Sequence, residues 1–150
     1  MNILADTHIL LWSIYDDDKL SDKAKNYLID GRNRFYYSLV SIWEVAIKNN
    51  IGKIPIPAED LLEGCDEMGF VPLPLKKEHI IRLQSLSEWE HRDPFDRMLV
   101  AQAEAEKIHF LTEDKKIRIT NRPALSDNAP LFIRKSKSLC FFDFRIVICG

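Results

Sequence analysis

Four acidic residues fall where an apolar strand ends or a helix begins. Asp6 closes the apolar stretch NILAD. Glu44 lies three residues after Ser41, which the pattern makes the cap of a helix, IWEVAIKNN, following a strand over Phe35 to Val40. Asp96 lies three residues after Asp93 in RDPFDR, where Asp93 can cap and Pro94 suits the first helical position. Asp114 follows the short strand HFLT. In a parallel sheet, strand carboxyl ends and the helix starts after them share one edge, where such folds bind ligands. Carboxylates gathered there repel one another unless a cation sits among them. Oxygen ligands of this kind suit Mg²⁺ or Mn²⁺. Such an ion activates a water and neutralises charge on a phosphoryl group. Thr7 and Thr112 stand beside the strand ends and can position a ligating carboxylate or a water.

Each acid also has an ordinary reading. Ser41 with Glu44, and Asp93 with Asp96, resemble capping pairs, and Asp114 suits a turn. Asp6 is harder to explain away, because an acid directly after a buried strand has no capping task there. Caps explain acids at helix starts but not one acid at each corner of a single edge, so their joint placement favours a metal site. Other candidates carry less. His8, His79, His91 and His109 have no metal or catalytic spacing and suit surface or supporting roles. With 5 glycines there is no phosphate-cradling loop, and no G-x-S-x-G elbow occurs. Arg92, Arg97, Lys115, Lys116 and Arg118 flank the acids; usually such a run is a solvated face, yet beside a metal it can hold a nucleic-acid backbone. Trp12, Trp43 and Trp89 suit core or interface positions, with base stacking the minority reading.

The elements that must position these acids alternate. The strand at Asn2–Asp6 runs into the helical stretch HILLWSIY. A second helix starts at Ser21, with Ala24, Tyr27 and Leu28 inward, and ends at Asp30-Gly31. The helix IWEVAIKNN closes near Gly52, a connector covers Ile54 to Pro57, and further helices are expected over Ala58 to Met68 and Lys76 to Leu86. The latter has Ile80, Ile81 and Leu83 as its inner face. Between them FVPLPL, with two prolines, reads as an edge strand. The helix opened by Asp93-Pro94 carries Phe95, Met98, Leu99 and Ala103 at helical spacing, and RIVIC, Arg145 to Cys149, reads as the last strand. Alternation of this kind indicates an α/β fold with a mainly parallel sheet. A chain of 150 residues suits one domain, and residues 119–138, turn-rich then basic, read as an irregular insertion before the last strand. A net charge of −2 with 46% apolar and 29% charged residues argues against a strongly basic nucleic-acid binder. No apolar run reaches the length of a membrane span and Asp6 interrupts any leader, so a cytoplasmic protein is expected. Cys65, Cys140 and Cys149 lack ligand spacing and suggest packing roles in a reducing compartment.

With these residues placed, the chain resembles the PIN-domain family, specifically VapC-type toxins of bacterial toxin–antitoxin pairs. The motifs are LADTHILLW at Leu4–Trp12, SLVSIWEVAIKNNIGKI at Ser38–Ile54, HRDPFDRMLVAQA at His91–Ala103 and FLTEDKKI at Phe110–Ile117. The resemblance implies a three-layer α/β/α domain with a five-stranded parallel sheet. It also implies Mg²⁺- or Mn²⁺-dependent RNA cleavage silenced by a cognate antitoxin. The family's acids map to Asp6, Glu44, Asp96 and Asp114; Asp93 is an additional acid whose expected task is the helix cap. A homodimer is also implied, for which Ile51–Ile56 and Phe70–Leu75 offer apolar segments. Residues 119–138 depart from the family, which passes to the last strand through a short helix and loop. The leading expectation is a metal-dependent endoribonuclease in which Asp6, Glu44 and Asp96 hold the ion directly and Asp114 directly or through water. The rivals are a non-catalytic PIN-fold binding protein and a structure-specific DNA nuclease.

Overall fold

The computed structural model describes residues 1–15, 18–86, 93–114, Ile117 and the backbone of 146–148. Trp89, His91, Arg92, Lys115, Lys116, Arg118, Cys140, Cys149 and the expected insertion at 119–138 lie outside the described residues.

The strands are β1 (Asn2–Ala5), β2 (Arg34–Ser38), β3 (Val71–Leu73), β4 (His109–Thr112) and β5 (Ile146–Ile148). They form one sheet in the order β3-β2-β1-β4-β5, and every pairing is parallel. Side chains alternate between two buried faces, which is why the strands read as unbroken apolar runs. Ile3, Ala5, Phe35, Tyr37 and Leu111 enter one core. Leu4, Phe110 and Leu73 enter the other, with Tyr36 packed against it. The first core is closed by α1 (Thr7–Tyr15), α2 (Asp22–Ile29), α4 (Ala58–Glu67) and the Ile42/Val45 side of α3 (Leu39–Asn50). The second is closed by α6 (Pro94–Glu106), through Leu99, Val100 and Ala103. Helix α5 (Lys77–Gln84) packs on α6. This is the expected α/β/α layering, and each fully buried Leu or Ile contributes about 1.5–3 kcal/mol. Pro72 falls in edge strand β3, where a missing N–H is tolerated. No helix among the described residues is long and apolar enough to cross a membrane.

Two local expectations are corrected. Helix α3 starts at Leu39, capped by Ser38, whose hydroxyl accepts from Val40 N at 3.0 Å. Ser41 is therefore inside the helix and buried, and Glu44 lies in the second turn rather than in a capping pair. Both serines can cap; β2 decides between them, because its pairing with β3 ends at Ser38↔Leu73. In α5 the inner face is set by buried His79, while Ile80 and Ile81 are exposed. The histidine is drawn inward by polar partners on the neighbouring helix, which apolar spacing cannot register.

Candidate metal centre

The order of the sheet places β1 beside β4, where the chain's direction of progress reverses. In open parallel sheets this crevice is the ligand site. Asp6 leaves β1 into it. Its N–H extends the ladder to Leu111 O at 3.0 Å, and its carbonyl accepts from Leu10 N at 3.0 Å to start α1. Its carboxylate is buried. Oδ2 accepts from the Thr112 hydroxyl at 2.6 Å, whereas Oδ1 has no hydrogen-bond partner among the described residues. Burial, then the negative charge of Asp96 and, more weakly, Glu44, push the Asp6 carboxyl from 3.8 up to about 6, against the Thr112 bond and His8. An orphaned carboxylate oxygen in a field of like charge is what a bound cation relieves.

Thr112, at the end of β4, also accepts from Asp114 N at 3.1 Å, so one hydroxyl fixes Asp6 and the backbone of Asp114 together. Next to it, the Glu113 carboxylate accepts from Ser21 N at 2.9 Å and ties the start of α2 to the end of β4. Glu44 is buried on α3 and both its oxygens are engaged. The Thr7 hydroxyl donates to Oε2 at 2.6 Å, and the Lys48 ammonium donates to Oε1. Each threonine beside a strand end thus orients one acid. Asp96 is half-buried in the first turn of α6. Asp93 caps that helix as expected, its Oδ1 accepting from Phe95 N at 2.9 Å and Asp96 N at 3.4 Å.

The four acids therefore lie at one sheet edge, but they are not equally arranged. The charges of Asp96 and Glu44 act on Asp6, while Asp114 is tied to Thr112 through its backbone N–H. Among the described residues no three acidic, histidine or cysteine side chains form a closed ligand set. Mg²⁺ keeps several waters of its own, so carboxylates placed around its site need not form a closed set in its absence. The hard oxygen donors and the unpartnered Asp6 Oδ1 fit such an ion.

Three features escaped the sequence reading. Lys48 reaches the site from one helical turn beyond Glu44, a spacing visible in the sequence. Ser38 Oγ donates to Gln102 Oε1 at 2.5 Å. Gln102 Nε2 lies 3.4 Å from His79 Nδ1, which accepts from Lys76 N at 3.1 Å, and His79 Nε2 lies 2.9 Å from Glu106 Oε1. This buried chain links the start of α3 to α6 and α5, so it fixes the two helices that carry Glu44 and Asp96. Its one sequence signal is Gln102, a polar residue inside the apolar run LVAQA. Trp43 is exposed on α3 and meets the Phe95 ring edge-on at 5.2 Å.

The sequence pattern of the PIN domain matches residues 3–123. Among curated proteins, none matches the chain. Among solved structures the chain is similar to VapBC2 from Rickettsia felis bound to a DNA fragment from its promoter, at 18% identity and TM-score 0.59, over 79% of this chain and 92% of that one. A toxin–antitoxin complex from Klebsiella pneumoniae matches at 19% identity and TM-score 0.57, over 81% and 92%. VapBC-5 from Mycobacterium tuberculosis matches at 16% identity and TM-score 0.55, over 82% and 93%. At these identities the structural likeness speaks for the fold, and the sequence match covers most of the chain. Together with acids at the carboxyl edge of a parallel sheet, these matches place the chain in the PIN domain family.

Proposed function

We propose that this chain is a divalent-metal-dependent endoribonuclease of the VapC toxin type, acting in the cytoplasm and restrained by a cognate antitoxin. The observation that carries the reading is Asp6. A carboxylate with one oxygen unpartnered among the described residues, its pKa raised by burial, then by Asp96 and more weakly by Glu44, is costly unless a cation uses it. Asp6, Asp96 and Glu44 would hold Mg²⁺ or Mn²⁺, with Asp114 contributing directly or through water. The ion supplies an activated water and charge neutralisation at a phosphodiester. Thr112 and Thr7 orient Asp6 and Glu44 through their hydroxyls, and the α6 cap at Asp93 holds Asp96 in the helix's first turn. Asp6 must release its proton to ligate, so metal affinity falls as pH drops through its raised pKa. The similar structures include a toxin–antitoxin complex and a member of the VapBC family of toxin–antitoxin systems, which supports an antitoxin partner here; a homodimer is part of the same proposal.

The test is cleavage of single-stranded RNA and matched DNA by the purified chain in Mg²⁺, Mn²⁺ and EDTA. RNA cleavage with either ion and none in EDTA is expected. Cleavage of DNA alone, or cleavage undiminished by EDTA, overturns the reading.

A further inference from the structure

The two buried acids of the site differ in one respect. Asp6 offers an oxygen with no hydrogen-bond partner among the described residues, whereas both oxygens of Glu44 are engaged. The group that engages Oε1 is the Lys48 ammonium, one helical turn along α3. An i,i+4 pair of this kind is usually a solvated surface contact of little consequence. This one is not at the surface: the Glu44 side chain is 3% exposed and that of Lys48 28%. Nor does Lys48 answer Glu44 alone. Burial opposes its charge, but Glu44, Asp93 and Asp96 together outweigh that and favour the ammonium. Three acids from two helices thus act on one cation held against Glu44.

We propose that Lys48 is the resident counter-cation of the metal-free site and competes with the divalent ion for Glu44. This inference rests on the metal reading above and adds a step to it. Without metal, the ammonium limits repulsion among Glu44, Asp93 and Asp96 and keeps Glu44 turned along α3. When the ion is bound, Glu44 would exchange its contact with Lys48 for the ion. Lys48 is in this sense a positioning residue, tuning how readily the chain takes up its ion.

Calorimetric titration with Mn²⁺ alone, on the parent chain and on Lys48→Met, Lys48→Gln and Lys48→Arg, tests this without reference to activity. Circular dichroism establishes which variants fold, and Lys48→Gln serves if Lys48→Met does not. Loss of the charge should tighten Mn²⁺ binding about fivefold, the equivalent of one partly buried pair. It should also lower the melting temperature in EDTA. Lys48→Arg should stay within about twofold of the parent, because it keeps the charge. Binding by the parent with equal or weaker affinity in the neutral variants overturns the competition and leaves the metal reading standing. No Mn²⁺ binding by any of the chains overturns both.

Discussion

Replacing Asp6 by Asn isolates the electrostatic cost of the site from its packing. The side chains are isosteric, and an Asn Oδ1 can still accept from the Thr112 hydroxyl. What disappears is a buried negative charge whose carboxyl is raised from 3.8 to about 6. At about 1.4 kcal/mol per unit, a shift of roughly two units corresponds to about 3 kcal/mol as an upper bound. The amide NH₂ takes the place of the unpartnered oxygen and returns about 1–3 kcal/mol of that as an unsatisfied donor. A net gain of about 1 kcal/mol is therefore expected for the metal-free mutant at neutral pH. The sign follows from linkage. The folded pKa exceeds the unfolded one, so the folded chain binds the proton more tightly. The stability this confers is complete below the unfolded value of 3.8 and is lost as pH rises to about 6. The mutant lacks that loss, so relative to the parent it should improve by about 2.4 kcal/mol between pH 4 and pH 7.5. Urea unfolding in EDTA at both pH values measures this difference. Added Mg²⁺ should then stabilise the parent and not the mutant. A mutant whose stability relative to the parent is the same at both pH values would refute the clustered-charge reasoning.

Substitutions at three further positions probe the supports. Asp93→Ala removes an α6 cap and should cost about 1 kcal/mol with most Mn²⁺ affinity kept, and Asp93→Ser should restore most of that stability; calorimetry showing loss of Mn²⁺ binding in a folded Asp93→Ser would make Asp93 a ligand. Thr112→Val strips the Asp6 carboxylate and Asp114 N of a shared partner and should cost about 1–3 kcal/mol in chemical denaturation. The Asp6 carboxyl should then titrate still higher by carbon NMR, since the Thr112 bond lowers it. In Gly64→Ala the new Cβ would stand 2.4 Å from Ile14 Cγ2, where α4 packs on α1. A net loss of about 1–2 kcal/mol in thermal melts is expected, partly recovered by adding Ile14→Ala.

The strands were readable because a sheet buried on both faces demands unbroken apolar runs, as in NILA and HFLT. The start of α6 was readable because Asp-Pro is an unambiguous opening. The start of α3 was not, because Ser38 and Ser41 cap equally well in isolation and only the pairing of β2 with β3 chooses. The inner face of α5 was misjudged for a related reason. His79 is stabilised in the interior by Glu106, Gln102 and the Lys76 backbone, partners distant in sequence, so Ile80 and Ile81 turn outward. That the charges of Asp96 and Glu44 reach Asp6 was legible from strand ends and helix starts together. That Glu44 is held by Lys48 while Asp6 keeps an unpartnered oxygen depends on side-chain packing that no spacing rule conveys.

Diffraction from crystals grown with Mn²⁺, with anomalous scattering locating the ion, tests the metal centre most directly. A Mn²⁺ peak bound to Asp6 Oδ1 and to Asp96, with Glu44 turned from Lys48 toward the ion, is the expected result. Well-ordered crystals with no Mn²⁺ between β1 and β4, or with the ion bound away from Asp6, would contradict it.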